Sequence, residues 1–180
     1  MKIAGFAYIS GGKQMYLKPD TALLVNKKPF FLPHFSEQIE AHPAVVARID
    51  RMGRCIAPKF ASRYYMQTAP AINFMACCNI ETVTFDVMTR SMAFDNSMAV
   101  GIFAAESKEY AEWYYNGITM IAHTLLDDIN KAVAEVSNYI TLRTGDMVAV
   151  DYEAEPLKIS RNDEFSVRIK DEELLFCRIK

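Results

Sequence analysis

The chain has 180 residues, of which 51% are apolar and 23% are charged, and its formal net charge is −2. This length and composition predict one globular domain that spans residues 1–180. Acidic and basic residues are interspersed without a basic stripe, which argues against nucleic-acid binding, and no apolar run approaches the ~18 residues of a membrane-spanning segment.

The first half of the chain is rich in strand signals. The apolar stretch at residues 1–9 is short and no small-residue cleavage site follows it, so we interpret it as a first strand rather than a signal peptide. Apolar runs bounded by turn residues predict strands at residues 22–25 and 44–50, and a short extended piece bounded by prolines at residues 30–33. Pro58, at a first-turn position, predicts a short helix over residues 57–65.

The second half contains one clear long helix. Thr124 and Asp127 match a capping box, and an apolar stripe follows at three- and four-residue spacing: Leu125, Ile129, Val133, Val136 and Ile140. A turn at 144–146 precedes strands predicted at 147–150, 165–169 and 174–179, with a hairpin loop at 171–173. One main helix among many strands predicts an α+β, mainly β fold, arranged as a mixed β-roll or sandwich.

Four cysteines are present, and their spacing fits neither a zinc ribbon nor a thioredoxin motif. Cys77 and Cys78 are adjacent, Cys55 and Cys177 lie far from them, and no Cys-x-x-Cys pair occurs. Unpaired thiols of this kind are typical of a reducing compartment. We therefore expect reduced cysteines in a cytoplasmic protein.

Several short segments match a known family in order and spacing. They are KPDTAL at residues 18–23, VVARI at 45–49 followed by Gly53-Arg54, FDNS at 94–97, and LRTGD at 142–146. From about residue 15 to residue 180, the chain resembles the fumarylacetoacetate hydrolase family, which includes the 2-hydroxyhepta-2,4-diene-1,7-dioate isomerases.

The resemblance implies the fold of that family's C-terminal domain, commonly assembled as a homodimer. It also implies a pocket that holds Mg²⁺ or another divalent cation and cleaves or isomerises β-diketo and 2-oxo acids. In such a site the metal chelates adjacent substrate oxygens and stabilises the enolate that forms.

The family's reactive positions carry different residues in this chain. Aligning residues 39–46 on the family's Ile-x-x-Glu-x-Glu-Val-Val puts the two glutamate positions at His42 and Ala44. The third metal ligand, an aspartate in the family, falls on Asn73, and the family's active-site lysine falls on Met92. Hard cations need several oxygen ligands, mostly carboxylates, and imidazole suits Zn²⁺, Ni²⁺ or Cu²⁺ better.

These substitutions lead to two hypotheses. In the first, the chain is a non-catalytic or diverged member with no catalytic residue and no cofactor, which acts as a binding module or as the partner of another protein. In the alternative, it is an active hydrolase or isomerase whose metal site has been rebuilt around His42, the remaining candidate ligand, with Glu40 and Glu37 nearby.

Other groups have a functional and a structural interpretation. Cys77 or Cys78 could be a nucleophile, but no base partner follows from the sequence, and reduced core thiols are favoured. Asp86 and Glu81 could form an acid–base pair, although a spacing of five residues is weak evidence. We expect a partly exposed, hydrogen-bonded His42, a surface position for His34, and a helical turn at residues 106–112. An aromatic cluster could pack the core edge or cover a dimer interface; its members are Tyr110, Trp113, Tyr114 and Tyr115. Four apolar side chains could fill a pocket that has lost its metal site, namely Met88, Met92, Phe94 and Met98.

Overall fold

The computed structural model describes residues 1–9, 12–77, 84–105, 111–120, 126–153 and 155–180. In these ranges the chain forms thirteen strands, which are β1 (Lys2–Ile9), β2 (Gly12–Pro19), β3 (Leu23–Val25), β4 (Ile39–Ile49), β5 (Tyr65–Ala76), β6 (Met98–Val100), β7 (Ala104–Ala105), β8 (Glu112–Tyr115), β9 (Ile118–Met120), β10 (Met147–Asp151), β11 (Leu157–Ile159), β12 (Glu164–Ile169) and β13 (Glu172–Arg178). The described helices are α1 (Phe85–Met92) and α2 (Leu126–Tyr139), with 3₁₀ turns at Asp20–Ala22 and Pro58–Arg63.

The strands form two sheets. The main sheet has the order β2-β1-β10-β4-β5-β6-β3, with β11 beside β4 and β7 beside β5. It is mixed, because β1 pairs with β10 and β3 pairs with β6 in parallel, whereas its other pairs are antiparallel. The second sheet has the order β13-β12-β8-β9 and is antiparallel. This arrangement confirms the α+β, mainly β fold with one main helix.

One face of the main sheet packs against α2. Ile129, Val133 and Val136 of the helix are buried against Val148 of β10 and other residues of the sheet, and Ile140 packs at the margin. The predicted apolar stripe is therefore confirmed over its described part, since the side chains on one side of the helix recur every three or four residues. Thr124 and Leu125, and with them the predicted capping box, lie outside the described residues.

Farther along, the same face packs against the second sheet. Phe74 of β5 stacks on Phe30, with ring centroids 3.9 Å apart. Trp113 and Phe165 of the second sheet are buried in the same cluster. The aromatic side chain of Trp113 therefore packs the core rather than an outer surface, and Tyr110 lies outside the described residues.

The opposite face of the main sheet lines an interior, because the sheet curls until β2 approaches α1. Ala44 and Val46 of β4 face this interior, whereas Val45 and Ala47 face α2, as the alternation of side chains along a strand requires. Met92 of α1 closes the interior, with Met98 beside it and Met88 at its margin. We call this enclosed space, lined by the inner faces of β1, β2, β4, β5 and β10 and covered by α1, the roll interior.

Strand β4 is longer than the sequence predicted. It begins at Ile39 instead of residue 44 and includes Pro43, which lacks an N–H group. The carbonyl of Pro43 accepts from Tyr152 N at 2.9 Å, which shows that the backbone of Pro43 faces the side where the neighbouring strand is interrupted. There β10 pairs with residues 44–48 and β11 with residues 39–41, so the missing donor of Pro43 faces a break in the ladder.

Two local predictions were wrong. The last hairpin turns at Lys170 and Asp171, not at 171–173, because Ile169 already pairs with Glu172 and Lys170 adopts a positive φ of 53°. Of the helical turn predicted at residues 106–112, residues 106–110 lie outside the described residues, and Glu112 instead begins strand β8 and pairs with Arg168. The short helix predicted over residues 57–65 is present as a 3₁₀ helix at Pro58–Arg63. In the described part of the chain, no helix combines the length and apolarity needed to cross a membrane.

Candidate functional site

The four positions singled out by the sequence face the roll interior. His42 and Asn73 are directly opposite each other on β4 and β5, and opposite residues of an antiparallel pair project to the same face. Ala44 lies two residues farther along β4, between Ala71 and Asp151 of the neighbouring strands. Met92 is the last residue of α1. Residues far apart in the chain are thus brought to one enclosed space.

His42 is buried, which corrects the expectation of a partly exposed and hydrogen-bonded histidine. Its Nε2 atom has no hydrogen-bond partner among the described residues, and Glu40 Oε2 lies 3.8 Å away. Burial lowers the pKa of His42 below its ordinary value, Glu40 opposes that shift, and the charge of Lys18 adds to it. The imidazole is therefore neutral at neutral pH.

Asn73 is fully buried and half satisfied. Its Nδ2 donates to Asp151 Oδ2 at 2.7 Å, but its Oδ1 has no partner among the described residues. An unpaired buried polar atom costs free energy, so two of them on adjacent strands mark a place where a further polar group would be stabilised.

Lys18 is the main feature that the sequence reasoning missed. This residue of β2 is buried, and its Nζ donates to Ser97 Oγ at 2.9 Å, to Ser97 O at 3.2 Å and to Met92 O. A longer contact of 3.4 Å reaches Phe74 O. The ammonium group therefore joins β2 to the end of α1, to β5 and to the segment before β6.

Asp151, at the end of β10, is a buried carboxylate that interacts electrostatically with Lys18. Besides Asn73, it accepts a hydrogen bond of 3.3 Å from the hydroxyl of Tyr16. Gly5 makes room for that tyrosine, because a Cβ atom at residue 5 would lie 2.6 Å from the Tyr16 ring. Tyr16 and Lys18 are two residues apart on β2, so both side chains face the roll interior.

Burial dominates the electrostatics of these groups. It raises the pKa of Asp151 to about 7, although Asn73, Lys18 and Tyr16 oppose the shift. It lowers the pKa of Lys18 to about 7, although Asp151 opposes the shift. Burial, reinforced by Asp151, also raises the pKa of Tyr16 well above its usual value. Near neutral pH, the state in which both Lys18 and Asp151 are charged and the state in which both are neutral are therefore similar in free energy.

Solved structures share this architecture over 99% of the chain. A 5-carboxymethyl-2-hydroxymuconate delta-isomerase from Mycobacterium smegmatis aligns with a TM-score of 0.80 at 17% identity, over 99% of this chain and 78% of that one. A fumarylpyruvate hydrolase from Pseudomonas aeruginosa, solved with Mn²⁺ and pyruvate, aligns with a TM-score of 0.79 at 16% identity, over 99% of this chain and 88% of that one. This chain has the fold of the fumarylacetoacetate hydrolase family.

A third structure supports the same conclusion. The 2-hydroxyhepta-2,4-diene-1,7-dioate isomerase from Mycobacterium marinum aligns with a TM-score of 0.78 at 18% identity, over 99% of this chain and 73% of that one. No family model and no curated protein sequence matches the chain. At this level of identity, the likeness establishes the fumarylacetoacetate hydrolase fold alone.

The donors in the roll interior do not fit Mg²⁺. A hard cation needs several carboxylate oxygens, but His42 offers a nitrogen, Asn73 a neutral amide, and Ala44 no donor. Asp151 already accepts two hydrogen bonds, its pKa is raised to about 7, and the ammonium of Lys18 would repel a cation. Across the ranges that the structure covers, no three His, Cys, Asp or Glu side chains form a group that could hold a metal ion.

The remaining candidates lie elsewhere. Asp86 is exposed on α1 and forms an ion pair with Arg90, and its proposed partner Glu81 lies outside the described residues. Cys77 is partly buried after β5, and Cys78 lies outside the described residues. His34 is on the surface, as expected. The buried Met92 and Met98 pack in the roll interior with Met88 at its margin, as the repacking interpretation expects, whereas Phe94 packs against the cluster that contains Trp113 and Phe165.

Proposed function

We propose that this fumarylacetoacetate-hydrolase-fold protein has lost the divalent-metal-dependent hydrolase or isomerase chemistry. It acts as a non-catalytic or diverged binding module, or as the partner of another protein. The observation that carries the proposal is the content of the roll interior: an imidazole, an amide, methionine side chains and the Lys18 ammonium, with Asp151 as the buried carboxylate.

The electrostatic argument supports this proposal. The protonated form of Lys18, which donates to Met92 O and to both oxygen atoms of Ser97, would repel a divalent cation, and with a pKa of about 7 this form is well populated at neutral pH. Coulomb repulsion between cations is strong where water is excluded. Binding a hard cation would therefore require both the removal of a proton from Lys18 and ligands that the described side chains do not supply.

Calorimetric titration with Mg²⁺ and Mn²⁺ at millimolar concentration tests the proposal, and we expect no saturable binding. The informative variant is Asp151→Asn, which removes the buried carboxylate, and Glu135→Gln is the matched control, because Glu135 is an exposed carboxylate on α2. Saturable binding by the wild type and by the Glu135 variant, abolished in the Asp151 variant, would contradict the loss of the hard-metal site.

A second candidate function has one specific observation in its favour. The unpartnered Nε2 of the neutral His42 and the unpartnered Oδ1 of Asn73 face the same space, and the carboxylate of Glu40 is 3.8 Å from that nitrogen. Nitrogen together with oxygen donors suits Zn²⁺, Ni²⁺ or Cu²⁺. In this version the chain is an active hydrolase or isomerase of 2-oxo or β-diketo acids with a rebuilt metal site.

The two candidates are separated by comparing histidine variants. The rebuilt-site version requires that His42→Ala lose bound Zn²⁺ or Ni²⁺ and lose turnover on a panel of acylpyruvates. His34→Ala removes an exposed histidine and serves as the control. Unchanged metal content in the His42 variant, together with no turnover by the wild type, eliminates the rebuilt enzyme and leaves the binding protein.

The assembly and location of the chain complete the proposal. We propose a single-domain, cytoplasmic homodimer that can also engage a different protein, with no role in nucleic-acid or membrane binding. The interspersed charges and the family's common assembly support this view. Light scattering of the purified protein at several concentrations tests the dimer, and a monomer mass at every concentration contradicts it.

A further inference from the structure

The hairpin between β8 and β9 contains a second reactive feature, remote from the roll interior. Tyr115 pairs with Ile118, which leaves Asn116 and Gly117 as a two-residue turn. Both have positive φ angles, 50° for Asn116 and 78° for Gly117, as a type I′ hairpin turn requires, and Asn-Gly is a favoured sequence for that turn. A side chain at residue 117 would meet nothing within 4 Å, so the Gly117 backbone is open to approach.

The side chain of Asn116 is held at both ends by the start of β12. Its Nδ2 donates to Asp163 Oδ1 at 2.9 Å, and its Oδ1 accepts from Glu164 N at 2.8 Å. The Asn116 backbone N–H also donates to Glu164 O at 2.9 Å. We call these three contacts the Asn116 clamp. They fix the amide in an orientation turned toward residues 163 and 164.

We propose that Asn116 is a deamidation site that the Asn116 clamp keeps unreacted until the hairpin opens. In the reaction the backbone nitrogen of Gly117 attacks Cγ of Asn116, and a new N–Cγ bond forms. The Cγ–Nδ2 bond breaks, and the proton from the Gly117 nitrogen leaves with Nδ2 as ammonia. Water then adds to one carbonyl of the cyclic imide, giving aspartate or isoaspartate at residue 116.

The clamp opposes the first step because attack requires Cγ of Asn116 to rotate toward the Gly117 nitrogen. That rotation breaks the bonds to Asp163 and Glu164 before any new bond forms. The reaction rate therefore follows the population of the opened hairpin, as expected for chemistry that needs local unfolding.

The product cannot restore the clamp. An aspartate at residue 116 places a carboxylate where the Nδ2 donor was, against Asp163 Oδ1. Asp163 is ionised there: burial would raise its pKa, but bonds from Tyr115, Asn116 and Ser160 hold the pKa below its usual value. Isoaspartate adds a backbone atom and disrupts the Tyr115–Ile118 pair as well. Deamidation is thus a one-way change that loosens the edge of the second sheet.

Peptide mapping by mass spectrometry after incubation at mildly alkaline pH tests the protection. In the folded wild type we expect conversion of Asn116 to be slower than in urea by at least about fivefold, the factor that corresponds to one ordinary hydrogen bond. Asp163→Ala should accelerate conversion in buffer and leave the rate in urea unchanged. Gly117→Ala should slow it in urea, because a methyl group crowds the attacking nitrogen.

Asn96, another exposed asparagine with a positive φ and a small residue after it, is the internal reference. Equal rates for Asn116 in buffer and in urea would overturn the proposal. If Asp163→Ala does not fold, the deamidation rate of the wild type is measured at increasing urea concentration. A rate that does not change below the unfolding transition contradicts the proposal that the hairpin must open before Asn116 reacts. Asn116→Asp should lower the urea midpoint of unfolding more than the control Asn96→Asp. Equal midpoints would contradict the claim that deamidation at residue 116 loosens the second sheet.

Discussion

The two faces of the strand pair β4–β5 have opposite chemistry. The face toward α2 and the second sheet is apolar, with Val45, Ile72 and Phe74 packed among aliphatic and aromatic side chains. The face toward the roll interior carries His42 and Asn73 beside small and flexible apolar residues. Successive residues of one strand thus contribute to a conventional core and to a buried polar cluster.

This difference separates a face that maintains the fold from a face that carries the candidate site. Apolar burial stabilises the first face at any pH, because its contribution depends on area removed from water. The second face contains charges whose removal from water is costly and whose mutual attraction offsets only part of that cost. Polar groups kept under such a cost indicate a constraint other than stability, which agrees with an interior derived from a functional site.

The largest expected effect follows from breaking the polar cluster. Lys18→Met keeps the length of the side chain and leaves the carbonyl groups of Met92 and Ser97 without their donor, and it removes the nearby charge that favours the ionised form of Asp151. We expect the free energy of unfolding to fall by about 3 kcal/mol, since the loss of one member strands a buried charge. Urea denaturation of the purified variants measures it.

A second substitution sharpens this test. In Lys18→Met combined with Asp151→Asn, the stranded carboxylate is gone and Asn73 still has an acceptor. The double variant should therefore be more stable than the single Lys18 variant, and the remaining loss reflects the unsatisfied carbonyl groups. If the two substitutions destabilise additively, Lys18 and Asp151 do not interact across the roll interior.

An intermediate effect is expected from pH. The pKa of Asp151 is about 7 in the folded protein, above its unfolded value of 3.8, so its contribution to stability is complete below pH 3.8 and is lost as pH rises to about 7. The pKa of Lys18 is about 7 in the folded protein, below its unfolded value of 10.5, so its contribution is complete above pH 10.5 and is lost as pH falls to about 7.

Together these two groups give a minimum of stability near neutral pH. Other groups, such as Asp146 with its lowered pKa, add their own slopes, so the wild type must be compared with the double Lys18→Met, Asp151→Asn variant. The unfolding free energy of the wild type minus that of the double variant should be lowest at about pH 7 and rise toward both acidic and alkaline pH. A difference that is constant with pH contradicts the assigned shifts.

The sequence predicted the apolar face better than the polar one. The helix stripe of Ile129, Val133 and Val136 is periodic, and periodicity survives folding because burial follows the same geometry. His42 and Asn73 were placed by family resemblance, and their convergence follows from strand pairing. Lys18 was missed because its burial depends on the curl of the sheet, which brings β2 to the end of α1, 74 residues along the chain.

A signal for Lys18 was nonetheless present. Tyr16 and Lys18 occupy alternate positions of one strand, so a buried Tyr16 predicts a buried Lys18 on the same face. The sequence offers a weaker indication that Asp151 is buried, because it follows the apolar run of β10 and resembles a residue that ends a strand. Only the contacts with Asn73 and Tyr16, from two other strands, reveal its burial.

The smallest expected effect is on the apolar face and completes the comparison. Ile72 of β5 is fully buried beside Asn73, but it faces the second sheet. Ile72→Val removes one methylene group, and we expect a loss of about 1 kcal/mol, from lost apolar burial and a small cavity. No titratable group takes part, so this loss should be the same across the pH range in which the Lys18 and Asp151 variants change. A pH-dependent loss for Ile72→Val would show that the apolar face and the polar face of the sheet are coupled through β5, and it would contradict their separate roles.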